Sequence, residues 1–362
     1  MPQSTVSWTP ANVKLLSTYT VVHMLAEFST ALILFSLLAA GRITGLEIAL
    51  YSVLAFGGPI VIAALRPRLP EGRLALFGLL ILTLGLLAGA IAGWLAVILL
   101  GVGSATFHIA AGTATLKLKR RGTGVGIFES SGAIGISVGT SLGYGIWSGV
   151  CASAWLVLLA ALLVAGGVAV FHWGTANILS TDLNEHMFEC PPPNQFLLGV
   201  AKSTWFAPAL LALMAVSVIR SLAAFAAPQP WKSTVAMVVW ASVGALLGRA
   251  IGGIVADRWG WLAPAVVGFV GVGLLWGLIG DAPLPGLFGS FFLALPMAPV
   301  IMAMVNITRR PSISFGLAQL FQVPAAMIGG LVFSSWLVLV LLLLCGLLLL
   351  AALFGRSSDA SV

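Results

Sequence analysis

Long apolar runs separated by short polar stretches dominate the pattern along the 362 residues of the chain. Residues 74–116 and 312–355 contain no Asp, Glu, Lys or Arg at all. Each of these runs is about twice the roughly 20 residues that span a bilayer as a helix, so each predicts two helices joined by a tight hairpin. The hairpins are expected at Gly89–Trp94 and near Ser334-Ser335-Trp336.

The same pattern over the whole chain predicts an all-α polytopic membrane protein with about twelve transmembrane helices in two pseudo-symmetric halves of six. The predicted helices of the first half span residues 15–40, 43–65, 74–92, 94–116, 123–146 and 152–171. Those of the second half span residues 203–227, 233–256, 261–280, 284–306, 312–334 and 336–355. The predicted domains are therefore an N-terminal six-helix half (1–172), a cytoplasmic linker (173–202) and a C-terminal six-helix half (203–362).

The basic residues orient these helices, because cytoplasmic loops of membrane proteins hold an excess of Lys and Arg. With a cytoplasmic N-terminus, 13 of the 17 Lys and Arg residues fall on the cytoplasmic side. They are Lys14, Arg66, Arg68, Arg73, Lys117, Lys119, Arg120, Arg121, Lys202, Arg258, Arg309, Arg310 and Arg356. The other side holds Arg42 and Lys232, while Arg220 and Arg249 lie within predicted helices. This asymmetry predicts that both termini are cytoplasmic.

Composition excludes a soluble protein and several kinds of partner. Apolar residues make up 60% of the chain and charged residues 7%, whereas a soluble domain carries about a quarter charged residues. The net charge of +7 comes from helix ends without interleaved aromatic residues, so no nucleic-acid partner is expected. Cys151, Cys190 and Cys345 have no disulfide or zinc spacing, and no metal or cofactor is expected. The polar N-terminus has no features of a cleavable signal peptide.

Two charged landmarks repeat along the chain. An offset of 189 residues places Arg120-Arg121-Gly122 on Arg309-Arg310-Pro311 and the loop 66–73 on residues 257–260. Parallel six-helix halves are the architecture of the major facilitator superfamily, whose substrate site lies between the halves near the midplane. Gly253-Ile-Val-Ala-Asp257-Arg258-Trp-Gly260 resembles the GxxxDRxG loop motif of that superfamily. The resemblance implies a gating loop in which Asp257 latches one conformation; the corresponding first-half loop has lost the Asp.

Three first-half motifs are similar to those of the fosmidomycin resistance group of this superfamily. Predicted helix 1 carries His23-Met-Leu-Ala-Glu27, similar to the group's HxxxD spacing with Glu in place of Asp. Predicted helix 4 carries Gly103-Ser-Ala-Thr-Phe107-His108, followed by Ile109 where the group usually has Pro. Predicted helix 5 carries Gly126-Ile-Phe128-Glu129-Ser-Ser-Gly132. The resemblance implies a proton-coupled antiporter that exports a drug or a small anionic compound.

His23 and Glu27 lie four residues apart and therefore share one face of a helix. An ionisable side chain inside the bilayer costs about 2.5–3.5 kcal/mol on insertion scales, so it normally faces a cavity or a partner. An imidazole beside a carboxylate can exchange a proton near neutral pH, so we predict a proton-coupling site here, which His108 could join. The alternatives are side chains that only fix helix packing and a metal half-site, which no second ligand cluster supports.

Three further ionisable residues are candidates in the predicted helices. Glu129 either faces the cavity as a second protonatable or substrate-contacting group, or snorkels toward the basic loop. Arg220 is the deepest cation of the second half and is predicted to bind an anionic substrate or to pair with Glu27 or Glu129. Arg249 lies nearer the GxxxDRxG motif and is predicted to join Asp257 in the latch.

Neutral residues complete the candidate site. Gln319 and Gln322 in predicted helix 11 supply hydrogen bonds for either substrate contact or helix packing. Gly135, Gly139 and Gly143 recur every four residues and predict a close approach by a neighbouring helix. The superfamily resemblance implies that this glycine face packs against the opposite half.

The leading hypothesis is a secondary active transporter in the bacterial cytoplasmic membrane, with the lipid bilayer, protons and a small-molecule solute as its partners. An enzyme is not expected, because no nucleophile and base occur at usable spacing. Two alternatives stay open. One is a proton-coupled or facilitative importer of a small metabolite, and the other is a transporter-like protein of assembly or sensing that moves no solute.

Overall fold

The computed structural model describes residues 8–65, 70–145, 152–180, 206–226, 234–279 and 283–320, together with Gln322, Val323, Val340 and Leu344. The helices in these ranges correspond in order to the first eleven predicted ones. The predicted hairpin near Ser334, the remainder of the predicted linker at 181–202, and predicted helix 12 apart from Val340 and Leu344 lie outside the described residues.

The first-half helices lie close to their predicted bounds. They are α1 (Pro10–Ala39), α2 (Gly45–Ser52, a π-helical stretch Val53–Gly57, and Gly58–Leu65), α3 (Glu71–Ala88), α4 (Gly93–Leu116), α5 (Arg121–Gly145) and α6 (Ala152–Ser180). The predicted hairpin between α3 and α4 is confirmed. Helix α6 continues to Ser180, past the predicted start of the linker at 173, because no proline interrupts this stretch.

The described second-half helices follow the prediction with two irregularities. They are α7 (Phe206–Ala226), α8 (Val235–Trp259), α9 (Leu262–Val272 and a π-helical stretch Gly273–Ile279), α10 (Pro283–Ala294 and Met297–Thr308) and α11 (Pro311–Leu320). The break in α10 falls at Leu295-Pro296, because proline has no N–H to continue the helical hydrogen-bond ladder.

The lengths and ends of these helices suit a bilayer. Seven stretches among the described residues, of 18 to 30 residues each, are long and apolar enough to cross a membrane. Unsatisfied backbone groups are costly in hydrocarbon, and threonine side chains cap several first turns. Thr9, Thr44 and Thr234 each accept a hydrogen bond from a backbone N–H at the start of α1, α2 and α8, respectively.

The glycine face of α5 packs against α1, in the same half of the chain. A Cβ built on Gly143 would lie 2.9 Å from the Leu32 carbonyl oxygen, and one on Gly139 would press on the Phe28 carbonyl. The prediction that Gly135, Gly139 and Gly143 face the opposite half is therefore wrong. Helix α1 occupies this face because the glycines let its backbone pack directly against α5.

The halves contact each other at what we call the basic end, the end of the bundle that carries Lys117–Arg121, Arg258 and Arg309-Arg310, and α5 and α8 stay in contact as far as Ser137 and Ser242. Helix α5 meets α8 where Gly122 and Gly126 lie against Gly253. Helix α11 meets α4 where the Phe315 ring fills the space beside Gly112, and it meets α2 where Gly316 lies against Ile60. The halves are thus packed together at the basic end.

We predict that Gly139→Ala lowers the thermal stability of the purified protein, because the new methyl overpacks the α1–α5 contact at a cost of about 1–3 kcal/mol. Gly45→Ala is the matched control, since a Cβ at Gly45 meets nothing within 4 Å. The measurement is the temperature at which the monodisperse peak is lost in detergent. Equal stability of the two variants would contradict the close approach.

Candidate functional site

Three buried ionisable side chains meet between α1 and α4 and form what we call the proton cluster: His23, Glu27 and His108. The Nε2 atoms of His23 and His108 lie 2.9 Å apart, and His108 Nε2 lies 3.1 Å from Glu27 Oε1. Their exposed fractions are 2%, 7% and 8% in the order His23, Glu27, His108. The structure therefore brings the predicted pair and His108 into one network.

Backbone carbonyls orient both imidazole rings. His23 Nδ1 lies 2.8 Å from the Phe128 carbonyl oxygen on α5, and His108 Nδ1 lies 2.8 Å from the Ser104 carbonyl oxygen on its own helix. Because a carbonyl oxygen only accepts hydrogen bonds, a hydrogen on each Nδ1 atom satisfies these two contacts. The hydroxyls of Ser131 and Ser104 lie 3.2 Å and 3.1 Å from the same two nitrogens. Stacking adds to the restraint, since the His23 ring lies parallel to the Phe128 ring with centroids 4.2 Å apart.

The three side chains have room for one additional hydrogen. A neutral ring with its hydrogen on Nδ1 has only a lone pair at Nε2. With that tautomer in both rings, the 2.9 Å contact between the two Nε2 atoms accommodates one more hydrogen. Glu27 Oε1, 3.1 Å from His108 Nε2, lies where it can share this hydrogen, so the geometry is suited to binding one proton.

The same three residues are also metal-ligand types, with donor atoms all within 4.8 Å of one another. A tetrahedral zinc ion with Zn–N distances of about 2.0–2.1 Å holds its nitrogen ligands about 3.3 Å apart. The 2.9 Å between the two histidines is instead an ordinary hydrogen-bond length. The spacing favours a proton over a metal ion.

Glu129 forms a second polar group, on the side of α5 that faces the C-terminal half. Its Oε1 accepts a hydrogen bond of 3.0 Å from Gln319 Nε2 on α11, and Gln322 donates to Gln319 Oε1 at 2.6 Å. Glu129 is 4% exposed. It therefore faces the interior between the halves, and the alternative that it snorkels toward the basic loop is wrong.

The half-buried Arg249 belongs to this polar group and not to the latch. Its Nη1 donates to the Glu129 carbonyl oxygen at 2.6 Å, across the contact between α5 and α8. The prediction that Arg249 pairs with Asp257 is wrong, because eight residues along one helix separate the two positions by about 12 Å. Arg220, on α7, donates to Ser221 at 3.3 Å and interacts electrostatically with Glu129.

Asp257 makes the contact that latches the basic end. Its two carboxylate oxygens accept hydrogen bonds from the backbone N–H groups of Gly122 at 2.9 Å and Thr123 at 2.7 Å. These groups lie in the first turn of α5, where free N–H donors and the helix dipole favour a negative charge. An acid at the end of α8 thus caps a helix of the opposite half.

The rest of the motif shapes this contact. Gly253 lets the backbone of α8 reach Gly122, and Gly260 ends α8 with φ 86°, a conformation that favours glycine. The Arg258 guanidinium lies 5.5 Å from the Trp259 ring centroid. The first-half loop that corresponds to the motif has lost its Asp, which by the symmetry of the halves would face the start of α11. In the turn before α11, Thr308 accepts a hydrogen bond from the backbone N–H of Arg310 at 3.1 Å.

Several residues of the site escaped sequence reasoning. Phe128 acts through its carbonyl oxygen, which no side-chain pattern reveals, whereas Ser104 offers both its carbonyl and its hydroxyl to His108. Ser137 and Ser242 hydrogen-bond between α5 and α8, and serine is too common in these helices to single out a pair. Ser104 alone had a usable signal, because it lies one turn before His108 on the same face.

Comparisons with known proteins show the fold. The structure is similar to that of the human organic anion transporter MFSD10 (TETRAN), with a TM-score of 0.65, 15% identity, and coverage of 94% of this chain and 100% of the other. It is also similar to the E. coli fucose:proton symporter FucP, with a TM-score of 0.60, 13% identity, and coverage of 96% and 99%. No family model and no curated protein matches the sequence. The predicted major facilitator fold is thereby confirmed.

We predict that Asp257→Ala opens the basic end, because it removes the acceptors for two N–H groups of α5. Loss of a helix cap costs about 0.5–2 kcal/mol, which corresponds to about a 2- to 30-fold rise in the open population. The measurement is the rate at which a maleimide labels a cysteine introduced at the buried Ser312, with the native cysteines replaced. Glu71→Ala is the control, since Glu71 pairs with Lys117 within one half. Equal labelling rates would refute the latch.

Proposed function

We propose that this chain, which has the major facilitator fold, is a secondary active transporter that moves a small solute by alternating access and couples the movement to protons. The observation that carries the proposal is the proton cluster. Its hydrogen-bond geometry accommodates one additional hydrogen, and it is buried where a fixed charge would be costly.

The position of the cluster supports a role in transport. His23 bonds to the carbonyl of Phe128, and the next residue, Glu129, contacts both Arg249 and Gln319 of the C-terminal half. One turn of α5 thus joins the proton cluster on one side to the contacts between the halves on the other. A gain or loss of the proton can therefore alter the interface along which the halves rearrange.

Packing at the basic end supports alternating access. The latch of Asp257 on α5 and the contact of Phe315 with Gly112 close the bundle at that end. Alternating access requires a second state in which these contacts separate. The Asp257 cap is suited to this, because hydrogen bonds to backbone N–H groups can be broken and replaced by water.

For direction and solute, we propose export of a drug-like or small anionic compound across a bacterial cytoplasmic membrane, with both termini in the cytoplasm. The first-half motifs that resemble the fosmidomycin resistance group favour export, and the half-buried cations Arg220 and Arg249 favour an anionic group. FucP is described as a proton symporter and MFSD10 as an organic anion transporter. The excess of basic residues at one end favours the orientation.

We predict that Glu27→Gln abolishes solute movement driven by a pH gradient, because the cluster loses the carboxylate that stabilises its proton. Purified protein in liposomes with an internal pH dye is screened against organic anions, drug-like compounds and sugars. Glu47→Gln is the matched control, since Glu47 is exposed at the start of α2 and glutamine also serves in a capping box.

Two results would overturn the proposal. If Glu27→Gln moves solute as the wild type does under a pH gradient, the proton cluster does not couple transport to protons. Wild-type protein that is folded in the liposomes but moves no solute in the screen would favour the assembly or sensing alternative.

A further inference from the structure

Hydrogen bonds fix both imidazole rings of the proton cluster with their Nε2 atoms turned toward each other. The backbone carbonyls of Phe128 and Ser104 lie 2.8 Å from the Nδ1 atoms of His23 and His108, respectively, so the Nε2 lone pairs of the two rings converge. Histidines that bind a metal ion almost always donate their other ring N–H to a carbonyl, a carboxylate or water in this way. The two rings are therefore oriented in advance for a cation held between them.

Glu27 supplies a third donor at the same point. Its Oε1 lies 3.1 Å from His108 Nε2, and the ligand atoms of the three residues all lie within 4.8 Å of one another. Two imidazole nitrogens and one glutamate carboxylate are a known ligand set for zinc, with the fourth position left to water. The sequence offers only a half-site at His23 and Glu27, and the fold completes it with His108.

A small opening separates this geometry from a metal site. The 2.9 Å between the two Nε2 atoms is a hydrogen-bond length that suits a proton, whereas a tetrahedral ion with Zn–N bonds of about 2.0–2.1 Å needs about 3.3 Å. Ring tilts that move each nitrogen by a few tenths of an ångström supply the difference. Glu27 and His108 keep 7% and 8% exposure, against 2% for His23, so the fourth position is reached from their side.

The charge and the ligand types of the site select the kind of ion. The Glu27 carboxylate offsets one positive charge of a divalent ion, and hydroxide formed from the zinc-bound water offsets the other. The Glu129 carboxylate also acts electrostatically on His108. Imidazole nitrogens suit zinc and its transition-metal neighbours, whereas Mg²⁺ and Ca²⁺ prefer oxygen ligands. The site therefore favours a divalent transition-metal ion over Mg²⁺ and Ca²⁺.

We propose that the proton cluster binds one divalent transition-metal ion of the zinc class in place of the proton, through the Nε2 atoms of His23 and His108 and the carboxylate of Glu27. The ion takes the lone pairs that otherwise hold the shared hydrogen. That hydrogen leaves to water as a proton, bonds from the metal to nitrogen and oxygen form, and nothing is oxidised or reduced. Binding itself is independent of the proposed function. The further consequence, that a bound ion blocks proton-coupled transport, rests on it.

The binding test uses the full-length chain with the competing ligands removed. His172, exposed on α6, and His186, in the predicted linker, are replaced by glutamine and the three cysteines by serine, which leaves His23 and His108 as the only histidines. This parent protein, purified in detergent without a tag, is expected to bind one equivalent of Zn²⁺ by calorimetry and no Mg²⁺. Co²⁺ should give the intense visible absorption of a tetrahedral site. Absence of stoichiometric Zn²⁺ binding, or a six-coordinate Co²⁺ spectrum, would overturn the inference.

Variants of the parent protein locate the bound ion. His23→Gln, His108→Gln and Glu27→Gln should each weaken Zn²⁺ binding by more than about 100-fold, beyond the 10- to 100-fold loss that is typical of an outer partner. Glu47→Gln is the matched control, since Glu47 is exposed at the start of α2, and it should bind like the parent. Each variant must elute as a monodisperse peak, and the Co²⁺ spectrum of the parent decides the question if one does not. Monodisperse ligand variants that bind Zn²⁺ like the parent would place the ion elsewhere and contradict the proposal.

Failure of this inference is distinguishable from failure of the proposed transport function. Saturating Zn²⁺ should abolish movement of the solute found in the liposome screen, and Mg²⁺ should not. If Zn²⁺ binds at the cluster and transport continues at the metal-free rate, the metal site stands and the cluster is not the coupling site. If Glu27→Gln abolishes transport and the parent protein binds no Zn²⁺, the coupling site stands and the metal site fails.

Discussion

The contact of α5 with α1 on one side and α8 on the other is the constraint on which the site depends. Glycine makes both contacts possible, at Gly139 and Gly143 toward α1 and at Gly122 and Gly126 toward α8. Without a hydrophobic driving force inside lipid, close packing and interhelical hydrogen bonds hold such helices together. Because the helices lie so close together, backbone carbonyls of α5 hydrogen-bond to one side chain from α1 and one from α8.

Two consecutive backbone carbonyls of α5 each hydrogen-bond to a polar side chain of a neighbouring helix. The Phe128 carbonyl accepts a hydrogen bond from His23, and the Glu129 carbonyl accepts one from Arg249. In a medium of low polarity an unpaired donor is costly, so each ring or guanidinium is fixed in the orientation that its carbonyl allows. The fixed orientation of the two imidazoles is what leaves room for a single additional hydrogen between them.

A polar contact of another kind closes the basic end. Asp257 accepts hydrogen bonds from the free N–H groups at the start of α5 from the opposite half, while in the turn before α11 Thr308 accepts one from the backbone N–H of Arg310. The two halves are therefore not equivalent at this end. In the proposed alternating access, the Asp257 cap is the contact of α5 that breaks during opening. Helix α11 packs on α4 and α2 through Phe315 and Gly316 and bonds to α5 through Gln319.

The sequence by itself determined the described helices and the shared face of His23 and Glu27, because hydrophobic run length and side-chain spacing are local properties of the chain. The tertiary structure brought His108 to that pair. The fold followed from the repeat and its motifs. Only the tertiary structure decided which helix faces the glycines of α5 and which partner Arg249 takes. Both depend on the rotation of one helix against another, and side-chain spacing along a single helix does not determine that rotation. Main-chain carbonyls, which carry no residue-specific signature, then select the partners of His23 and Arg249.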